Sequence, residues 1–200
     1  MDPPPPLTPH HPEEILLLLD QQLDHEVPLV LFGPAALSLG FANPPKEFQM
    51  TQDVDAIITL SQLPKLTEDF SFWEAIERTN HLLSAKGLYI THLFCEDQVF
   101  LRPDLEQHLI PVFNPPTVNL KLFRPHVIDL ILTKMMRGND ELDMNDVRFL
   151  VGHDALDLKQ METALASVRI PDVPELREAF SRALPVVREI LKSSLAGGNP

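Results

Sequence analysis

Thr51-Gln52-Asp53-Val54-Asp55-Ala56-Ile57-Ile58-Thr59 places two carboxylates two residues apart at the mouth of an apolar, β-branched run. Such a run reads as a strand, in which side chains alternate between faces. Asp53 and Asp55 then point the same way, and Val54 points into a core. Two acids on one face repel each other unless a proton or a cation lies between them. All-oxygen donors suit a hard cation, so the pair is a candidate site for Mg²⁺ or Mn²⁺. A strand-borne Asp-x-Asp is one way to hold the metal of a phosphoryl-transfer site. The plainer reading is a strand entrance with two solvated acids.

The residues upstream add to the pair. Leu29-Val30-Leu31-Phe32 reads as a buried strand that stops at Gly33. Pro34 fits the first turn of a helix, where its missing N–H is not needed, and Ala35 to Leu39 continue that helix. A helix N-terminus after a glycine presents free N–H groups and a positive dipole end, which suits phosphate. Asn43 to Lys46 is loop. Before all this, residues 1–12 are nearly all Pro, His and Asp, and predict an extended tail. A helix follows, with Glu13 and Glu14 at its positive end and Ile15, Leu16, Leu19 and Leu23 as its stripe.

Downstream, Phe70 to Lys86 predicts a helix with Trp73, Ile76, Leu82 and Leu83 on its apolar side and Gly87 as its cap. Leu88 to Phe94 predicts a strand, with Gln98 to Leu101 as a candidate partner. Val118 to Phe123 alternates as a half-buried strand does. His126 to Arg137 predicts a helix stopped by Gly138-Asn139. Asp143 reads as the N-cap of a helix through Val151, with Asp146 as its three-residue partner. Two more helices follow, the last kinked or broken at Pro185. The expected organisation is a tail (1–12), a mixed α/β core (13–124) and a C-terminal helical region (125–195).

Composition narrows the function. A net charge of −13 over 200 residues argues against general nucleic-acid binding, which needs clustered Lys and Arg. The single cysteine, Cys95, excludes an intrachain disulfide and is compatible with a reducing cytoplasm. No apolar run approaches a membrane span, and the first residues do not read as a secretory signal. The histidines are too scattered to suggest zinc.

Strand, Gly, short helix, loop, then Asp-x-Asp is an order with a known counterpart. Leu31-Phe32-Gly33-Pro34-Ala35-Ala36-Leu37 followed by Thr51-Gln52-Asp53-Val54-Asp55 resembles the opening motif of the nucleotidyltransferase superfamily related to polymerase β. The stretch from Asp129 through Lys134, Arg137, Asp143 and Asp146 to Val147 resembles the Lys-plus-acidic motif of its abortive-infection toxin branch (AbiEii-like). The resemblance covers roughly residues 28 to 150. It implies a nucleotidyltransferase-like mixed sheet flanked by helices, and nucleotidyl transfer from a nucleoside triphosphate to an unknown acceptor, with a toxin–antitoxin role in view. Asp53, Asp55 and Lys134 become the implied catalytic residues. Asp53 and Asp55 would hold Mg²⁺, with His92 as a further candidate ligand or base. Gly33, Ser38, Lys134 and Arg137 would meet the triphosphate.

Three departures keep other readings open. Pro34 stands where the superfamily usually has Gly or Ser, and it removes a backbone donor. The later strand, which often supplies a third carboxylate, offers His92; Glu96, Asp97 and Asp104 lie beyond it. The acidic charge fits poorly with a tRNA-modifying toxin. One alternative is a catalytically inactive relative acting as a binding or regulatory module, its Pro-rich tail docking a protein partner. Another is a metal-dependent hydrolase using the same Asp pair.

Overall fold

A computed structural model describes residues 11–153 and 156–196. The chain divides into two compact units: residues up to Leu93 with Pro111–Arg124, and Phe94–Ile110 with the residues from Pro125 onward. The expected core of 13–124 is therefore interrupted, because residues 94–110 pack with the second unit.

The first unit is built on a mixed sheet. Its elements are α1 (His11–Gln22), β1 (Val27–Phe32), α2 (Gly33–Gly40), α3 (Lys46–Gln49), β2 (Asp53–Ile58), α4 (Leu63–Thr67), α5 (Phe70–Leu83), β3 (Tyr89–Cys95), β4 (Ile110–Pro111) and β5 (Leu120–Arg124). Strand order is β3-β2-β1-β5-β4. The central strand β1 runs antiparallel to β2 and parallel to β5. A central strand covered on both faces is apolar throughout rather than alternating, which is how Val27 to Phe32 reads. The register sets Phe32 opposite Asp55 and Val30 opposite Ile57.

Helices α1 and α5 pack together. Ile15, Leu16 and Leu19 of α1 are fully buried, as their spacing predicts. The helix starts at His11, and Pro12 is buried within it; the rest of the expected tail, residues 1–10, lies outside the described residues. Asp20 is buried too. Its carboxylate accepts hydrogen bonds from the backbone N–H groups of Val118, Asn119 and Leu120 and so ties α1 to the start of β5. On α5 the inward face is Phe72, Ala75, Ile76, Thr79 and Leu83, while Trp73 and Leu82 face outward. Trp73 lies out because its indole N–H reaches Leu66 O at 2.7 Å. Gly87 closes the following turn at φ 65°.

The second unit is helical: α6 (Val127–Lys134), α7 (Glu141–His153), α8 (Leu158–Ser167) and α9 (Pro174–Ala196). α7 packs on α6 and α9, and α8 on α6. All eight residues of α6 are buried. Its Asp129 is fully enclosed and receives the Arg102 side chain through Nε and Nη2, the latter at 2.6 Å. Gln98 to Leu101 does not form the expected strand: Glu96–Gln98 is a 3₁₀ turn, and Leu101 makes a single bridge to Arg169. Asp143 is not an N-cap. α7 starts two residues earlier, and Asp140 accepts from the Asp143 N–H at 3.1 Å. Pro185 sits inside an uninterrupted α9. No described helix is long and apolar enough to cross a membrane.

Candidate active site

The Asp pair is carried by the first residues of β2, where the sheet opens. Val54 is fully buried, and Asp53 and Asp55 share the other face. Because Asp55 pairs with Phe32, the strand end that leads into α2 is brought beside the acids. At that point Gly33 takes φ 59°, a left-handed conformation that an L side chain adopts only at a cost. A Cβ on Gly33 would lie 3.6 Å from Asp55 Oδ2. The backbone therefore turns from strand to helix within reach of the carboxylate, and the position stays open. α2 has a proline in its first turn and no side-chain cap at its N-terminus. Its leading N–H groups are not claimed by a capping side chain, as in an anion-receiving helix start.

Donors surround one side of the acids. Thr51 Oγ1 donates to Asp53 Oδ1 at 2.8 Å. Thr91 Oγ1, on β3, donates to Asp55 Oδ1 at 2.7 Å and lies 3.5 Å from Asp53 Oδ2. The His92 backbone N–H and ring Nδ1 approach the same Asp55 Oδ1 at 3.2 and 3.1 Å. A carboxylate can only accept, so Nδ1 carries the hydrogen in this contact. The Asp55 side chain is 17% exposed and that of His92 63%. Among the described residues, no three His, Cys, Asp or Glu side chains gather as a metal-holding group. The donor set at β2 is two carboxylates. It fits Mg²⁺, which typically takes one or two carboxylates and completes its shell with substrate phosphates and water.

Gly33, Asp53, Asp55 and His92 thus lie together at the start of β2. Ser38 lies on α2, buried, and its Oγ has no hydrogen-bond partner among the described residues. Lys134 and Arg137 lie in the second unit, where the acids of α7 take them up. Lys134 Nζ is paired with Asp146 and lies 3.4 Å from Asp143 Oδ1. Arg137 Nε donates to Asp143 Oδ2 at 2.6 Å, and this bond holds the guanidinium above its usual basicity. Burial pushes the Asp146 carboxyl up, against the opposing pull of Lys134. Two of the three candidate third carboxylates are occupied in that unit as well: Glu96 is buried against Arg169 at 2.8 Å, and Asp104 accepts from His108 at 3.0 Å.

Thr51 and Thr91 were not among the residues expected at the site. Thr51 stands two residues before Asp53 and could have been read from that position. Thr91 is one residue of an exposed strand, and only the β2–β3 pairing reveals it.

A profile of the family described as "Nucleotidyltransferase of unknown function (DUF6036)" matches residues 11–179. The chain belongs to this nucleotidyltransferase family. The match covers the Gly33 turn, the Asp pair, β3 and the Lys134 helix together. No curated protein and no solved structure matches the chain.

Proposed function

We propose that the protein is a Mg²⁺-dependent nucleotidyltransferase whose metal is held by Asp53 and Asp55. The observation that carries this reading is the pairing of the two carboxylates with the left-handed turn at Gly33, at the uncapped start of α2. The acceptor hydroxyl would lose its proton to solvent as its oxygen bonds to the α-phosphorus of a nucleoside triphosphate, the α–β anhydride bond would break, and pyrophosphate would leave with that bond's electron pair. Bound there, Mg²⁺ would neutralise phosphate charge and polarise the phosphoryl oxygens. Gly33 admits the triphosphate close to the backbone because no Cβ intervenes. The N–H groups that open α2 donate to phosphate, and the orphan Ser38 hydroxyl on the same helix is a further donor. The Asp129 to Val147 stretch, which carries Lys134 and Arg137, supports a kinship with the abortive-infection toxin branch.

A second reading has its own support. β3 presents Thr91 and His92 to the acids rather than a carboxylate, and Lys134 is already paired with Asp146. These observations favour a relative that binds nucleotide without turning it over. Incubation with Mg²⁺ and each nucleoside triphosphate separates the two. Pyrophosphate release with label transfer from the α-phosphate supports the enzyme. Binding without release supports the regulatory module.

A further inference from the structure

The hydrogen bonds around the acids are one-sided. Asp55 Oδ1 faces three donors: the Thr91 hydroxyl, the His92 N–H and His92 Nδ1. An oxygen with two lone pairs is saturated by such a set. Asp53 Oδ1 takes the Thr51 hydroxyl. Asp55 Oδ2 accepts no hydrogen bond among the described residues, and it is the oxygen that faces the open side of Gly33. Among the described residues, Asp53 Oδ2 is approached only by Thr91 at 3.5 Å, a distance at which little hydrogen-bond energy remains. Since Thr91 has a single hydroxyl proton and spends it on Asp55 at 2.7 Å, Asp53 Oδ2 is left without a strong donor.

From this asymmetry we infer that Thr51 and Thr91 are positioning residues for the cation. Each threonine hydroxyl holds one Oδ1, fixes the rotation of its carboxylate, and leaves the two Oδ2 atoms as the presented pair. Thr91 matters more, because it stands on β3 between both acids, at the strand from which the superfamily often supplies a third carboxylate. In this chain that strand supplies a hydroxyl that orients the acids and adds no charge. A site of two negative charges holds a divalent cation more loosely than a site of three and leaves more of its shell to the nucleotide. The inference rests on the reading of Asp53 and Asp55 as the metal-holding pair.

The test is Mn²⁺ binding to the full chain, followed by electron paramagnetic resonance without nucleotide, for wild type, D55N, T51V, T91V and T91S. Outer residues that orient metal ligands typically change affinity 10- to 100-fold. T91V is expected to weaken Mn²⁺ binding by about that factor, T51V to weaken it less, and T91S to restore it. Valine keeps the shape and strand preference of threonine at this exposed position, so the thermal midpoint of T91V should match wild type. A merely structural threonine would move the midpoint and leave the affinity alone. T91V binding within twofold of wild type, while D55N loses Mn²⁺, overturns the inference and leaves the metal-holding pair standing. No Mn²⁺ binding by wild type, or equal binding by D55N, overturns both.

Discussion

The open side of Gly33 faces Asp55 Oδ2, so that a Cβ on the glycine would stand 3.6 Å from the carboxylate oxygen. Gly33→Ala therefore has two effects. It strains a backbone at φ 59° by about 1–2 kcal/mol, and it sets a methyl group where a phosphate would approach. The variant should fold with a slightly lower thermal midpoint and lose most of its affinity for triphosphate with Mg²⁺, read by calorimetry. Unchanged affinity would remove Gly33 from the site.

Asp20 should be a principal structural acid of the first unit. Replacing it with Ala strips the backbone N–H groups of Val118, Asn119 and Leu120 of their acceptor in a buried setting. The cost should be about 3 kcal/mol or more, as for hydrogen bonds to a charged group. Asp20→Asn, which keeps one acceptor oxygen, should recover part of it. Urea unfolding measures both.

Gly40 is excluded from substitution by its neighbour rather than by its dihedral. A Cβ there would clash with Arg124 Cδ and stand 2.8 Å from its Nε. Arg124 cannot easily swing away: it is buried, donates to Gly40 O at 2.9 Å and lies over the Phe41 ring at 4.0 Å. Gly40→Ala should destabilise by about 1–3 kcal/mol through overpacking, with the same urea assay as the check.

Folding stability should depend on pH through His25. The Asp24 hydrogen bond raises its basicity above the usual value near 6.5, burial opposes this, and Asp69, bonded to Nε2 at 2.8 Å, adds to it. The folded state thus holds the proton more tightly than the unfolded one. The stabilisation is fully present below about pH 6.5 and is lost as pH rises through the elevated folded value. Asp69 also caps α5 by accepting from Phe72 N–H at 3.1 Å, so the imidazolium reinforces a helix start. Thermal midpoints should fall as pH rises above about 6.5 in wild type and stay flatter in His25→Gln. Parallel curves would contradict the assignment.

Local pattern carried the sheet and the acid pair. The uninterrupted apolar run of β1, the alternation at Asp53-Val54-Asp55 and the glycine stop at Gly33 each reflect one short-range cause, and the structure keeps all three. What was hidden depends on long-range pairing. Thr91 meets Asp55 only because β3 lies beside β2, across 36 residues of chain. Leu101 reads as a strand residue, but its partner, Arg169, is too distant in sequence to be read. Asp143 looks like a cap from spacing alone; the structure gives the cap to Asp140 and uses Asp143 to hold Arg137. Trp73 looks like core, yet its indole N–H needs an acceptor and finds it at Leu66 O, on the outer side of the helix.

Asp53 and Asp55 are the centre of the proposed nucleotide site. Calorimetric titration of the four nucleoside triphosphates, with and without Mg²⁺, into wild type and the double variant Asp53→Asn/Asp55→Asn tests this most directly. The account predicts that wild type binds at least one triphosphate only when Mg²⁺ is present, and that the folded double variant binds none. Binding that survives the double substitution, or no binding of any triphosphate by wild type, would contradict it.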